Sequence, residues 1–451
     1  MVHRTLSWLS PPSPSESTKA PEWLLIVLTV LAVLYCVMPL LEMRLPNAIE
    51  VLFALTGLYV LFRYGKGIRW SLPVKLMAVT VVLMVLSWVF MMIDHPDLAR
   101  SGPSLEDFLD KFFFLFIALA VAGVERRALA FLGVFFLFVL LMPWLSGDGF
   151  SEIASGLKGV RTDFGINPIR TGLLFGAALL ALICFAPRIF MRPRFSALKL
   201  AVWVLLLGFC VTIVVITQSR TAMVALLPGL AAAMVLFLVM SPVSPRFKIG
   251  IALTLAAALA MFLWASDQAG LTDLVEKRFG REAAVIQQAI EGDLEDVPRT
   301  SWGIRIRLLV EGVDSLLERP LTGWGYRAGE IVLDKEGLRR GDGGVFSQVH
   351  NAYMEAALRY GIGATVVLLM LFGWALYGTW RSWKDQQMSL DMVVFLGSVF
   401  GYFMVANLFD GLLFQTEGVL LFNVLMGVAA SYMFFNRRQG PPSEAIDDHP
   451  A

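Results

Sequence analysis

Charged residues are scarce in this chain of 451 residues. Asp, Glu, Lys and Arg together make up 16% of it, whereas soluble domains usually carry about 25%. Hydrophobic residues account for 57%. The formal net charge of +1 provides no basic field that would attract a phosphate backbone, so we expect no nucleic-acid partner. This composition indicates a membrane protein.

Cysteine is also rare. The three cysteines, Cys36, Cys184 and Cys210, all fall inside apolar runs, where cysteine packs as a small hydrophobic side chain. They predict neither a disulfide framework nor a metal site. The polar, Pro- and Ser-rich stretch through Pro21 does not fit the start of a cleavable signal peptide.

Apolar stretches long enough to cross a membrane recur along the chain. A transmembrane helix needs about 20 mainly apolar residues. Twelve stretches qualify, namely residues 22–41, 47–63, 73–93, 106–123, 127–146, 169–187, 198–218, 220–240, 247–265, 362–380, 390–409 and 417–435. We therefore predict an all-α polytopic membrane protein with about 12 transmembrane helices.

Positive charge follows every second predicted span. Arg126 and Arg127 follow the fourth span, and Arg381 and Lys384 follow the tenth. Cytoplasmic loops carry such an excess of Lys and Arg. We therefore predict that both chain ends are cytoplasmic and that the hydrophilic insert between the ninth and tenth spans is external, which means periplasmic in a Gram-negative bacterium.

These orientations divide the chain into five parts. They are a cytoplasmic N-terminal tail (1–21), transmembrane helices 1–9 (22–265), a large periplasmic loop that we expect to be largely helical (266–350), a periplasmic helix with transmembrane helices 10–12 (351–435) and a cytoplasmic C-terminal tail (436–451).

The turn between the seventh and eighth spans contains an arginine. Gln218, Ser219 and Arg220 separate the two apolar runs. Ser219 can cap the following helix, which would bring backbone N–H groups and the positive helix end beside the guanidinium. This combination predicts an anion site. The alternative is an interfacial arginine whose side chain extends out to water.

An amphipathic helix is predicted inside the external insert. Apolar residues recur at positions 306, 309, 310, 313, 316 and 317, which is a helical spacing. Arg307 has Glu311 one turn away and is expected to pair with it. Arg305 has no acidic neighbour three or four positions away. It therefore needs a partner from elsewhere and is the better candidate for a functional role.

An acidic run, Glu291 to Asp296, precedes this helix. Such clusters can hold a divalent metal, but they are more often solvated loops, and we predict no metal site here.

His350 is the histidine best placed for chemistry. It precedes an uninterrupted helical stretch, 351–360, where the chain re-enters the membrane. The positive end of that helix disfavours imidazolium, so we expect a neutral ring that can accept a proton as a general base. The alternative is a capping or interfacial histidine. His3 and His449 lie in tails, and His95 lies in a short loop.

The external side collects several basic residues despite its general depletion of positive charge. Arg161 lies in the smaller external loop, 147–168, and joins Arg220, Arg305 and His350 on that side. Guanidinium groups bind phosphate oxygens bidentately and stay charged at any relevant pH. Several arginines plus one base suit a substrate with a pyrophosphate leaving group. An external donor of this kind must be lipid-linked, because nucleotide sugars are cytoplasmic.

Three elements in this order resemble the O-antigen ligase and polymerase superfamily. They are Ser219-Arg220-Thr221, then Arg305 upstream of Pro320 and Gly323-x-Gly325, then His350-Asn351 followed by nine residues and Gly361. The resemblance is strongest over about 200–365, and the rest of the chain matches in topology alone. Two departures from the family pattern are Leu309, where many relatives carry Trp, and Ala364.

The resemblance implies a polytopic bacterial inner-membrane glycosyltransferase whose active site faces the periplasm. The ligase of this superfamily transfers O-antigen from undecaprenyl pyrophosphate to lipid A-core oligosaccharide. The polymerase extends the lipid-linked chain, and related enzymes glycosylate proteins. One dominant external loop and the absence of an appended soluble domain favour the ligase. The resemblance further implies an inverting transfer that needs no metal, ATP or other cofactor, and the chain contains no Asp-x-Asp motif.

The predicted site residues have three roles. We predict His350 as the catalytic base, Arg161, Arg220 and Arg305 as ligands of the donor pyrophosphate, and Gln218, Ser219, Asn351 and Arg170 as supporting residues. The expected partners are undecaprenyl-pyrophosphate-linked O-antigen, lipid A-core oligosaccharide and membrane lipids, with no nucleotide.

A transporter of lipid-linked glycans is the alternative from a different class. Transporters place charged residues near the bilayer midplane and often contain inverted repeats. The span interiors of this chain are nearly free of charge, and no internal repeat is evident. These features favour the transferase.

Overall fold

The computed structural model describes residues 20–41, 47–190, 196–242, 300–334 and 344–435. Within these ranges the chain forms α-helices, turns and three short 3-10 segments, without a β-strand. The predicted all-α polytopic fold class is thereby confirmed.

Eleven helices of the described ranges precede residue 243. They are α1 (Glu22–Val37), α2 (Asn47–Tyr64), α3 (Leu72–Asp94), α4 (Glu106–Leu109), α5 (Phe114–Val121), α6 (Glu125–Leu145), α7 (Phe150–Leu157), α8 (Pro168–Cys184), α9 (Ala186–Phe190), α10 (Ala197–Ile216) and α11 (Arg220–Met240). Six follow it, namely α12 (Ser301–Glu318), α13 (Ala328–Val332), α14 (Ala352–Tyr360), α15 (Ile362–Lys384), α16 (Leu390–Phe409) and α17 (Thr416–Phe434).

Eight helices in the described ranges are long and apolar enough to cross a membrane. They are α1 with its 3-10 continuation to Leu41, α3, α6, α10, α11, α15, α16 and α17. The sixth predicted span is the shorter apolar helix α8, with 17 residues, and the second corresponds to α2. The ninth predicted span, 247–265, lies outside the described residues.

The fourth predicted span, 106–123, is not a single helix. It is divided into α4, a 3-10 turn at Asp110–Phe112 and the eight-residue α5. Lys111 lies at this break and is fully buried. Its Nζ donates to the Asp107 carbonyl oxygen at 2.6 Å and to Asp110 Oδ1 at 3.0 Å. The expectation of one continuous span was therefore wrong.

A side chain of α17 compensates for the broken backbone. Asn423 Oδ1 accepts from the Phe114 backbone N–H at 2.9 Å, and its Nδ2 donates to the Asp110 carbonyl oxygen at 2.8 Å. Irregular backbone among membrane helices is tolerated where surrounding protein supplies its hydrogen bonds. The buried amide of Asn423 provides them here.

The centre of the helix assembly is α17. In its apolar window 89% of residues are buried, and it packs against α5 and α15. Gly427 permits the close approach, because a Cβ there would lie 2.5 Å from Ile117 Cγ2. By contrast, α10 and α11 bury 22% of their windows, which leaves broad apolar faces for lipid.

The helices share one end, which we call the His350 end. There α10 gives way to α11 at residues 217–219, α16 gives way to α17 at residues 410–415, and Gly361 alone separates α14 from α15. The opposite end is tied by Arg188, whose guanidinium contacts Glu125 at 2.5 Å and Asp391 at 2.5 Å. Both ends thus carry buried polar contacts.

The amphipathic helix predicted around Arg305 is confirmed as α12, but its buried face differs from the expected one. Leu309, Val310, Val313 and Leu317 are all exposed within the described part of the chain. The face toward the protein contains Leu308 and the small residue Gly312 instead. A Cβ at Gly312 would lie 3.2 Å from Val349 and 3.3 Å from Leu358. Small residues let α12 lie close against α14, and a pattern based on apolar residues does not detect this.

Candidate active site

His350 lies beside a carboxylate at the His350 end. Its Nδ1 is 3.2 Å from Asp410 Oδ1, and Asp410 is the C-cap residue of α16. The imidazole side chain is 29% exposed, whereas the carboxylate is 9% exposed. When Nδ1 carries the proton and donates a hydrogen bond to Asp410, Nε2 has a free lone pair. This arrangement can act as a general base.

Arg305 contacts the same carboxylate. Its Nη2 lies 3.3 Å from Asp410 Oδ2, so each oxygen of the carboxylate meets a different cationic or ionisable group. The sequence predicted that Arg305 would find a partner outside its own helix, and Asp410 is that partner. The C-terminal end of α16 also carries partial negative charge, which favours cations at this place.

Asp410 remains ionised despite its burial. Burial alone would raise the pKa of this carboxyl group. The hydrogen bond and charge of His350, the charge of Arg305 and the backbone N–H of Gly411 outweigh burial and hold the pKa below its usual value. The Gly411 N–H donates to Asp410 Oδ1 at 2.9 Å. A buried anion is therefore fixed between the histidine and the arginine.

The start of α14 holds His350 in an unusual backbone conformation. His350 has a φ of +54°. This value lies in the left-handed backbone region, which residues other than glycine rarely adopt. Glu355 Oε2 accepts from the Val349 backbone N–H at 3.1 Å, and Glu355 is fully buried. Strained conformations of this kind persist where surrounding contacts determine them and cluster at functional sites.

Asn351 connects α14 to α16. Its Oδ1 accepts from the backbone N–H groups of Tyr353 and Met354, each at 3.0 Å, so it is the N-cap of α14. Its Nδ2 donates to the Leu408 carbonyl oxygen at 3.1 Å. The residue that caps the helix after His350 thus also contacts the last turn before Asp410. His350 precedes this cap and does not itself begin the helix.

Arg220 begins α11, as the sequence predicted. Ser219 is the N-cap, and its Oγ accepts from the Ala222 backbone N–H at 3.3 Å. Arg220 is buried with 8% of its surface exposed. Gln218 has a φ of +50°, and its Nε2 donates to the Gly159 carbonyl oxygen at 3.0 Å. The turn is therefore tied to the loop that carries Arg161.

Arg161 lies directly against this turn. Its Nε donates to the Thr217 carbonyl oxygen at 3.2 Å, while the residue as a whole is exposed. Glu152 of α7 holds the loop, because its Oε1 accepts from the Asp163 and Phe164 backbone N–H groups at 2.9 and 2.6 Å. Arg161 and Arg220 thus form a second group, separate from the group around Asp410.

Helix register places both groups at the same level. A Cβ at Gly229 of α11 would lie 3.0 Å from Tyr402 of α16, and a Cβ at Gly397 would lie 2.6 Å from Leu236. Residue numbers thus rise along α11 as they fall along α16, so the two helices are antiparallel. Arg220 precedes Gly229 on α11 by as many residues as Gly411 follows Tyr402 at the end of α16. Arg220 therefore lies level with the end of α16.

Arg170, which we predicted as a supporting residue, lies in the first turn of α8. Its Nη1 forms an ion pair with Glu417 Oε2 at 3.0 Å, and Glu417 is buried at the start of α17. This pair joins α8 to α17 at the His350 end. The contact of Arg170 thus links two helices.

Asp410 is the site residue that sequence reasoning missed. It lies in the short connection between the eleventh and twelfth predicted spans, next to Gly411. An acidic residue at the membrane interface, on the same side as a candidate histidine, is a signal that could have identified it. Its partners are 60 and 105 positions away along the chain, so no local motif joins them.

The fold defines a multi-pass α-helical membrane protein with a carboxylate–histidine pair and several arginines at one end of its helices. Residues 203–369 match the family model for O-antigen ligase, which includes Arg220, Arg305 and His350. This match confirms the resemblance to the O-antigen ligase and polymerase superfamily and supports a glycosyl-transfer function. Comparison with the curated proteins gives no match.

Proposed function

We propose that this protein is an O-antigen ligase. It transfers O-antigen glycan from undecaprenyl pyrophosphate to lipid A-core oligosaccharide at the periplasmic face of the bacterial inner membrane, with inversion and without a metal. The contact between His350 and Asp410 carries the proposal, because transfer to a sugar hydroxyl requires a base that removes its proton.

His350 acts as the base in this reaction. Asp410 accepts a hydrogen bond from the Nδ1–H group and so holds the tautomer in which Nε2 receives the proton of the acceptor hydroxyl. The acceptor oxygen then forms a bond to the anomeric carbon as the bond from that carbon to the pyrophosphate oxygen breaks. The electron pair leaves with the pyrophosphate, and the proton stays on His350.

The arginines stabilise the departing pyrophosphate. Arg161 bonds to the turn before α11 and Arg220 is the first residue of that helix, where backbone N–H groups and the positive helix end add to their charge. Because protein shields Arg220 from water, its attraction for phosphate is less screened than at an exposed surface. Arg305 is held by Asp410, so its first role is to fix that carboxylate.

A two-substrate assay tests the proposal. Purified protein is given polyprenyl-pyrophosphate-linked O-antigen and lipid A-core oligosaccharide, with a chelator and without nucleotide. We expect transfer to lipid A-core, and we expect His350→Ala to lower kcat by about two to four orders of magnitude. Donor binding should change little in this variant, because His350 is given no phosphate contact.

The acceptor distinguishes the ligase from its relatives. Elongation of the lipid-linked glycan without transfer to lipid A-core would instead identify a polymerase, and transfer to a protein would identify a protein glycosyltransferase. Unchanged turnover in His350→Ala would remove the proposed base. Absence of any glycan transfer by folded protein, with uptake of the lipid-linked glycan into vesicles, would favour the transporter.

A further inference from the structure

A cavity lies at the far end of α14 from His350. It is a partly open cleft with an internal volume of about 30 Å³. It lies between α3 and the segments 98–104 and 324–331, and Tyr360, the last residue of α14, also lines it. Because α14 has nine residues and rises 1.5 Å per residue, the cavity is about 13 Å from the start of that helix.

The cavity lies beyond the level at which α15 begins. A Cβ at Gly363, in the first turn of α15, would lie 3.2 Å from Leu83 of α3. The part of α3 that follows Leu83 therefore extends past the start of α15, by about 16 Å at 1.5 Å per residue. Trp88 and Met91, in this extension, line the cavity. A ligand thus reaches it from the same side as His350.

Aromatic rings and polar groups both line the cavity. Trp88, Trp324 and Tyr326 all contribute to its lining. Trp88 Nε1 donates to the Arg100 carbonyl oxygen at 2.9 Å, and the Arg100 guanidinium lies 4.6 Å from the Tyr326 ring centre. Rings with an apolar body beside hydrogen-bonding groups suit a sugar, which has C–H faces and hydroxyl edges.

The charge of the lining is positive. Arg100 and Arg327 line the cavity, and the lining contains no acidic residue. Their side chains are 47% and 56% exposed. Arg100 lies 3.4 Å from Glu106, and Arg327 Nε donates to Glu330 at 2.6 Å. Ion pairs this exposed are weak, so an incoming anion can replace the glutamates and gain bidentate contacts.

The position of Arg100 supports a functional reason for this charge. It is the one Lys or Arg in the external loop from Asp94 to Asp107, on a side where these two residue types are depleted. A cation retained there, stacked over an aromatic ring and facing a cavity, indicates an anionic ligand.

We propose that this cavity binds an anionic saccharide residue of the acceptor glycan, which carries a phosphate or a carboxylate, while a more distant sugar of the same glycan reaches His350. The inference rests on the proposed function for the identity of the glycan. The aromatic rings hold the sugar face, and Arg100 with Arg327 holds the anionic group. The distance along α14 corresponds to a short oligosaccharide.

Binding of the acceptor glycan alone tests this proposal, since no donor is needed and no turnover occurs. The probe is delipidated, phosphorylated core oligosaccharide, and its affinity for the purified full-length protein is measured by calorimetry or saturation-transfer NMR. We expect the double variant Arg100→Gln/Arg327→Gln to raise Kd at least about tenfold, the effect of losing a charge-assisted bidentate contact. The control Arg126→Gln/Arg127→Gln removes equal charge at the opposite end and should leave Kd unchanged.

Two further arms separate the components of the site. Dephosphorylated oligosaccharide should bind the wild type more weakly than the phosphorylated probe does, and Arg100→Gln/Arg327→Gln should weaken its binding no further. If the dephosphorylated probe instead binds the wild type as tightly as the phosphorylated probe and the double variant still weakens its binding, the anionic group is a carboxylate. Tyr326→Phe should retain binding, whereas Tyr326→Ala should lose it. Leu321→Ala, at an exposed residue just before the lining segment 324–331, should bind as the wild type does.

Several results would overturn the proposal. These are unchanged Kd in Arg100→Gln/Arg327→Gln, equal weakening in both double variants, or competition by polyprenyl phosphate instead of glycan. The His350→Ala transfer assay remains independent of these measurements. Binding that depends on Arg100 and Arg327 without any transfer would therefore contradict the proposed function and leave the cavity assignment standing.

Discussion

Asp410 determines what His350 can do. One carboxylate, largely shielded from water, meets the imidazole at one oxygen and a guanidinium at the other. Replacing it with asparagine keeps the shape but removes the charge, and the amide can donate a hydrogen bond to Nδ1 and so select the wrong tautomer. At this position the charge matters more than the size of the side chain.

We therefore expect Asp410→Asn to lower kcat by about two orders of magnitude or more, with little change in donor affinity. Steady-state kinetics in the two-substrate assay measure both quantities. Asp97→Asn, at an exposed aspartate on the same side of the molecule, is the matched control and should retain wild-type kcat. If both variants kept full activity, the contact between Asp410 and His350 would have no catalytic role.

The lowered pKa of Asp410 predicts how stability depends on pH. A carboxyl group whose pKa is lower in the folded protein stabilises it above the unfolded value of about 3.9, and this contribution is lost as pH falls through the folded value. We expect the melting temperature of the wild type to exceed that of Asp410→Asn from pH 8 down to pH 5. A difference that vanished between pH 6 and pH 5 would show that the carboxyl pKa is raised instead.

Single residues also show what the sequence could and could not predict. Ser219 as N-cap and Arg220 at the start of α11 follow from local rules and are confirmed. The pairing of Arg170 with Glu417 and of Arg305 with Asp410 joins residues 247 and 105 positions apart. Such pairs depend on how helices pack, which capping and periodicity do not specify.

At the scale of elements, α14 is fixed by a buried ion network at the end opposite His350. Arg359 lies 2.7 Å from Asp107 and 2.7 Å from Glu355, and Tyr360 Oη donates to Asp107 at 2.6 Å. Burial alone would lower the pKa of Arg359, but the two carboxylates outweigh it and raise the pKa. The arginine therefore stays charged and joins α14 to the segment before α5.

We expect Arg359→Leu to destabilise the protein by about 3–5 kcal/mol, because it leaves two carboxylates without their buried partner. Chemical unfolding of the detergent-solubilised protein measures this change. Arg381→Leu removes an arginine from an exposed pair with Asp385 and should unfold at the same denaturant concentration as the wild type. Similar unfolding of both variants and the wild type would mean that the network contributes nothing.

Two elements differ from their sequence patterns for physical reasons. The predicted fourth span contains Asp107, Asp110 and Lys111 near its start, and the backbone breaks where these groups bond to one another and to Asn423. The face of α12 against α14 is set by close approach at Gly312. Apolar periodicity identifies the apolar face of a helix. It does not show whether lipid, solvent or a neighbouring helix lies against that face.

At the scale of the whole molecule, the chemistry is concentrated at one end. Arg161, Arg220, Arg305 and His350 come from separate parts of the chain, and all lie at the His350 end. Alternating loop charge predicted this common side. The structure brings them together as two groups at one level along α11 and α16, and we predict that both groups line one cavity.

The orientation of this end relative to the membrane can be tested by labelling. Leu321 is 75% exposed at the His350 end, and Arg126 is exposed at the opposite end. The three native cysteines are buried, so the wild type should give little background. If the positive-inside rule holds, a membrane-impermeant maleimide should label Leu321→Cys in intact spheroplasts. Arg126→Cys should be labelled only after lysis. The reverse labelling pattern would place the His350 end in the cytoplasm, where a lipid-linked donor would no longer be required.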